Sequence, residues 1–168
     1  MTCIVADSGP LIMLGRSSLL GVLRQIVGDI LVPATVFAEC TRESAKPGVP
    51  NLIEARASGL LIVVDDLDPT LRLTNVAHLD AGEIEALTQA HLRGCPVLMD
   101  ESLGRKVAAR NCIPTIGSVG ILLAAKERGL ISEIAPILAS WRSWGYFLAP
   151  ALLDTALARA GEHRSPLT

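Results

Sequence analysis

Apolar and polar positions along the 168-residue chain fall into two alternating rhythms. Short runs rich in Val, Ile and Leu, "CIVAD" at 3–7, "ILVP" at 30–33, "LLIVVD" at 60–65, "PVLMD" at 96–100 and "IPTIG" at 113–117, predict strands bounded by turn residues. Between them the apolar spacing lengthens to about 3.6 residues. In "AGEIEALTQAHLR", Ala81–Arg93, it sets Ile84, Leu87, Ala90 and His91 on one helical face. Helices are also expected over 119–127, 132–144 and Pro150–Ala160. Gly28-Asp29, Ser58-Gly59 and Gly94 fall just before strands, and "SAKPGVPN" at 44–51 reads as a loop. Strand alternating with helix predicts an α/β domain whose mostly parallel sheet is covered on both faces, with right-handed crossovers.

Composition narrows the class. Half the residues are hydrophobic and few are aromatic, so a packed core can form without staples. Cys3, Cys40, Cys95 and Cys112 lie far apart and form no C-x-x-C pair. They read as small buried hydrophobes of a reducing cytoplasm rather than as zinc ligands or disulfide partners. The first strand lacks a cationic leader before it, and no apolar run of about 18 residues occurs, so neither a secretory signal nor a membrane span is expected. A formal charge of -2 gives no global pull on nucleic acid. Polyanion binding would have to come from a local patch or from bound cations.

The candidate chemistry is acidic. In parallel α/β sheets ligands bind beyond the carboxyl ends of the strands, where the strand order reverses. Strand one ends on Asp7, strand four on Asp100 followed by Glu101, and strand three on Asp65 and Asp66. Should strands one and four be neighbours, Asp7 and Asp100 would share a crevice. Glu39 in "VPATVFAEC" and Glu83 in "LDAGEIEAL" sit in helices that follow strands. Clustered carboxylates repel one another unless a divalent cation offsets their charge, and oxygen donors suit magnesium or manganese. Each acid also has a local reading. Asp7 or Ser8 is placed to cap a helix opening near Pro10, Asp80 and Glu83 match a capping box, Asp100 is placed to cap "SLGRKVAAR", and Glu39 taken singly is a solvated face.

Taken in order, "IVADSGPLIML", "ILVPATVFAEC", "LDAGEIEAL", "VLMDESLGRKVAARNCIPTIGSVGILL" and "YFLAPALLDTALARAGE" resemble the PIN domain superfamily of metal-dependent ribonucleases. More closely they resemble its VapC-like, or DUF3368, branch. The likeness spans 3–162, and the domain is expected to occupy 1–162 with a polar tail at 163–168. It implies a three-layer α/β/α sandwich holding Mg2+ or Mn2+ on Asp7, Glu39, Glu83 and Asp100. Ser8 and Ser118 match hydroxyl positions of the pattern, and Arg105 its basic residue after the strand. Glu101 stands where the branch commonly has a second Asp. The implied activity is RNA hydrolysis to 5'-phosphate products, in the manner of a toxin paired with an antitoxin protein, with a homodimer as one possible assembly.

On this reading Asp7 and Asp100 are direct metal ligands, while Glu39 and Glu83 hold metal waters or a second ion. Ser8 and Ser118 orient waters or acids, and Glu101 is a further possible ligand. Arg105 and Arg16 are the candidate substrate contacts, with Arg24 and Arg42 as extensions of the path, while Lys106 and Arg110 read more readily as a solvated helix face. Trp141, Trp144, Tyr146 and Phe147 cluster late in the chain and suit packing better than base stacking. His78, His91 and His163 have no i, i+4 partner, so neither a zinc site nor a catalytic histidine is expected, and His91 reads as a helix-surface residue. Neither a phosphate loop nor a nucleophile elbow is present. Two other classes remain open: a catalytically silent module that binds RNA or a protein, and an aspartyl phosphotransferase, which usually wants a second Asp where Gly9 stands.

Overall fold

The computed structural model describes residues 2–162, so the expected tail at 163–168 and His163 lie outside the described residues. The chain divides into two compact units, one ending at Ser118 and one beginning at Val119.

The first unit carries the sheet. Strands β1 (Cys3–Ala6), β2 (Asp29–Pro33), β3 (Ile62–Val64), β4 (Val97–Leu98) and β5 (Thr115–Ile116) all pair in parallel, in the order β3-β2-β1-β4-β5. Ile4, Val5, Ala6, Val97 and Leu98 are fully buried, as expected of central strands covered on both faces. Between strands lie α1 (Ser8–Arg16), α2 (Leu20–Val27), α3 (Ala34–Thr41), α4 (Val49–Ala57), α5 (Ala81–Arg93) and α6 (Ser102–Arg110). From β1 the chain steps outward through β2 to β3, then returns past β1 to β4 and β5. Because right-handed crossovers put outward and return connections on opposite faces, helices flank the sheet on both sides in an α/β/α sandwich. The reversal point lies between β1 and β4.

The elements agree with the sequence pattern at their centres and differ at a few edges. Helix α5 has the expected bounds, closed by a reciprocal Asp80–Glu83 capping box and by Gly94 in the left-handed region at φ 65°. The segment 44–51 is a loop only as far as Gly48, because Pro50 fits the first turn of α4. The buried face of α5 is more polar than its apolar spacing indicates. Glu85, Thr88 and Gln89 are buried, and His91 is exposed, as its reading as a helix-surface residue expects. These polar groups anchor the connection from β3. Glu85 Oε1 accepts from Leu67 N (2.7 Å) and Gln89 Nε2 (3.0 Å), Gln89 Nε2 also donates to the Asp65 carbonyl (2.8 Å), and Thr88 Oγ1 accepts from Leu73 N (3.3 Å).

The reading of all four cysteines as unpaired is corrected. Cys3 and Cys95 form a disulfide with Cα atoms 6.0 Å apart, while Cys40 and Cys112 are free and Cys112 is exposed. The cause is register. Val5 faces Val97 across β1 and β4, so two residues earlier on each chain Cys3 faces Cys95. The bridge sits toward the amino ends of the strands, the end remote from Asp7 and Asp100.

The second unit holds the rest of α7 (Ser118–Glu127) with α8 (Ala135–Ser143) and α9 (Pro150–Ala160). Glu162 ties it together by accepting from Lys126 Nζ (2.7 Å) and from the backbone N–H groups of Ile134 (2.8 Å) and Ala135 (2.7 Å) at the start of α8. Trp141 is fully buried and meets Tyr146 edge to face, with ring centroids 6.0 Å apart, whereas Phe147 is 82% exposed. The late aromatics therefore divide between packing and surface. Among the described residues no helix is long and apolar enough to cross a membrane.

Candidate metal centre

Asp7 follows β1 directly and occupies the N-cap position of α1, with extended backbone at φ -85° and ψ 163°. Its side chain nevertheless makes no cap hydrogen bond. The residue is only 4% exposed, and its Oδ1 is buried without a partner. An ionised oxygen in that position is costly. Burial accordingly pushes the Asp7 carboxyl up to about 7; the Ser8 N–H works against the rise, and the charges of Glu83, Asp80 and Glu39 add to it. The capping reading of Asp7 thus fails for its side chain.

Glu39 projects from α3 and is half-buried. Its carboxylate lies against Gly82 in the first turn of α5, where a Cβ added to Gly82 would stand 2.8 Å from Oε1 and 2.9 Å from Cδ. Burial raises the Glu39 carboxyl above its usual range, with the charges of Asp80 and Glu83 in the same sense and the Gly82 N–H and Arg42 opposing. Glu83 commits one oxygen to the capping box, Oε2 accepting from Asp80 N (2.9 Å), while Asp80 Oδ1 accepts from Glu83 N (2.8 Å). Its carboxyl is raised by burial and by the charges of Asp80 and Glu101, against the Asp80 N–H. The local and the chemical readings of Glu83 therefore coexist in one side chain. Asp80, read from sequence only as a cap, emerges as a fourth charge bearing on the group. Its N-cap position was visible in the sequence; its closeness to α3 and β1 was not.

Asp100 is placed differently. It follows β4, yet both its oxygens turn to the start of α7, Oδ1 accepting from Ser118 N (2.8 Å) and Oδ2 from Ser118 Oγ (2.6 Å). It does not cap α6, whose N-cap is Glu101 with no side-chain cap bond. Gly117 leaves room for this pair, since a Cβ there would stand 3.1 Å from Asp100 Oδ1 and 3.2 Å from Arg105 Nη1. Arg105 donates from Nη1 to the Met99 carbonyl (3.0 Å), which fixes it beside Asp100. Ser118 is buried, Glu101 exposed, and Ser8 and Arg16 half-buried. Cys40 lies beside Asp7 and Glu39, and burial followed by their charges raises its thiol to about 12, so it is inert as a thiolate at neutral pH.

Several expected contributors fall elsewhere. Asp66 accepts from Thr35 N (3.0 Å) and from the Thr35 hydroxyl, so this strand-end acid serves the first turn of α3. Arg24 pairs with Asp29 at 2.7 Å, at the amino end of β2, and is not on a path to the strand carboxyl ends. Lys106 and Arg110 are exposed on α6, in keeping with their reading as a solvated helix face.

Among the described residues, no group of three or more His, Cys, Asp or Glu side chains is arranged to hold a metal ion. Asp7, Glu39, Asp80 and Glu83 are nonetheless within electrostatic reach of one another. The donor set is all carboxylate oxygen, and its deepest member holds a buried oxygen with no partner, so these residues fit a hard divalent cation.

A family model described as DUF3368: PIN domain matches residues 3–162. Among solved structures, a PilT N-terminus domain protein from the hyperthermophilic archaeon Sulfolobus solfataricus P2 is similar at 14% identity and a TM-score of 0.48, over 73% of this chain and 92% of that one. No curated protein matches the chain.

Proposed function

The chain belongs to the PIN domain family, whose members are in general metal-dependent nucleases, and from that premise we propose that it is an endoribonuclease using Mg2+ or Mn2+. The observation that carries the proposal is Asp7: a buried carboxylate at the strand-order reversal, at a cap position without capping, with one oxygen unpartnered and three acids acting on it.

Asp7 and Asp100 would hold the cation, with Glu39 and Glu83 holding its waters or a second ion and Glu101 at the exposed rim. When bound, a divalent cation supplies charge relief on the scissile phosphate and a water acidic enough to be deprotonated. Ser118 fixes both Asp100 oxygens and so sets the orientation of that carboxylate. Ser8 flanks Asp7 and opposes the rise of its carboxyl through its backbone N–H. Glu39 and Glu83, raised above the usual carboxylate range, are poised to take a proton from the attacking water. Arg105 at the edge of this group meets substrate phosphate, with Arg16 farther along α1. The role of a toxin held by an antitoxin is supported by the resemblance to VapC-like proteins.

The test is incubation of purified protein with single-stranded RNA and Mn2+ or Mg2+. Internal cleavage leaving 5'-phosphates, stopped by chelation and slowed at least about 100-fold by Asp7→Asn, is the expected result. RNA retention without cleavage would favour a silent binding module. An acyl-phosphate on Asp7 would identify a phosphotransferase.

A further inference from the structure

We propose that Gly82 is a positioning residue, whose missing side chain leaves the space in which the first turn of α5 seats the Glu39 carboxylate. The role in metal binding rests on the nuclease reading above; the seat itself does not.

Gly82 is buried at the second position of α5, following Asp80 at the N-cap and Ala81. Its backbone is helical and outside the positive-φ region, so the chain conformation does not call for glycine there. Helix propensity argues against it, because glycine inside a helix is less favourable than alanine. The reason is therefore spatial. The three atoms nearest to a Cβ on Gly82 are Oε2, Oε1 and Cδ of Glu39, closer than real Cβ contacts allow. At Gly15 the corresponding neighbours are the apolar Leu52 side chain, and at Gly104 Met99, which is ordinary close packing. At Gly82 the intruding group is a carboxylate set against the amino end of a helix, where backbone N–H groups favour negative charge. Asp80 in the same turn carries a charge that opposes the Glu39 carboxylate, while the Gly82 N–H acts in its favour.

Glu39 meets Gly82 with the tip of a flexible side chain. A methyl group at 82 therefore displaces the carboxylate and leaves the helix intact. Gly82→Ala is expected to fold, with a Tm within about 4 °C of wild type. Its Mn2+ Kd, measured by titration calorimetry with Mn2+ alone, should rise on the order of 10-fold. In the Glu39→Ala background the same change should leave the Mn2+ Kd within about twofold, because the displaced group is gone. Unchanged Mn2+ affinity in Gly82→Ala, or equal weakening in both backgrounds, would overturn the proposal. If wild-type protein binds no Mn2+, the metal reading fails, and the seat is decided by the Gly82 amide proton resonance. An upfield shift of that resonance on Glu39→Ala upholds the seat, and an unmoved resonance refutes it.

Discussion

Asp7 concentrates the cost of the site in one side chain. Its carboxyl moves from 3.8 to about 7, chiefly through burial, so in the metal-free protein the folded state holds a proton that the unfolded chain has released. The sign follows from linkage. The contribution of Asp7 to stability is fully present below about pH 4, where both states are protonated, and is lost as pH rises toward 7, by roughly 4 kcal/mol if the shift is taken whole. Above that range both states are ionised and the loss is constant. Asp7→Asn should flatten this slope and be more stable than wild type at pH 8, as measured by urea unfolding with chelator present at pH 4, 6 and 8. A wild-type curve that rises between pH 4 and 7 while Asp7→Asn follows it in parallel would mean that Asp7 is not the strained group. That Asp7 ends a strand was plain in the sequence. That its side chain declines the cap beneath it was not, because capping and orphaning share the same residue pattern.

Helix α5 does two jobs on two faces. Its first turn presents Gly82, Glu83 and Asp80 to the acids of β1 and α3, while Glu85, Thr88 and Gln89 hold the segment leaving β3. Its ends were legible because cap and stop are local signals, Asp80 with Glu83 and then Gly94. Its polar buried face was not, because apolar periodicity counts Glu85 and Gln89 as solvent-facing and contains no trace of the residues 65–73 that cover them. Glu85 Oε1 serves two donors while Oε2 is buried without a partner. Glu85→Ala should therefore cost about 2 to 3 kcal/mol by stranding Leu67 N and loosening Gln89, and should speed hydrogen exchange at the Leu67 amide. Glu85→Gln, which keeps one accepting oxygen, should stay within about 1 kcal/mol of wild type in the same unfolding assay. Equal losses from both changes would show that the charge, rather than the hydrogen bonds, anchors the segment.

For the whole molecule, strand order does most of the functional work. The sequence of strand and helix signals was enough for a parallel α/β sheet, and the motif order for the family, but not for which strands are neighbours. Pairing β1 with β4 brings Asp7 and Asp100 to one edge and, two residues earlier on each strand, brings Cys3 against Cys95. The same nonlocal register thus set two strand-end acids on one edge and overturned one reading of the cysteines. Asp100 shows the remaining gap, since its grip by Ser118 depends on β5 delivering Gly117 and Ser118 alongside β4. The proposed nuclease chemistry requires that the acids of this edge share a divalent ion. Anomalous diffraction from a crystal soaked in Mn2+ tests it directly. The expected result is a peak within coordination distance of the unpartnered Asp7 Oδ1, with carboxylate oxygens of Glu39, Glu83 or Asp100 drawn toward the same ion or its waters. A peak remote from Asp7, or a well-ordered soaked crystal whose Asp7 oxygen still has no partner, would contradict it.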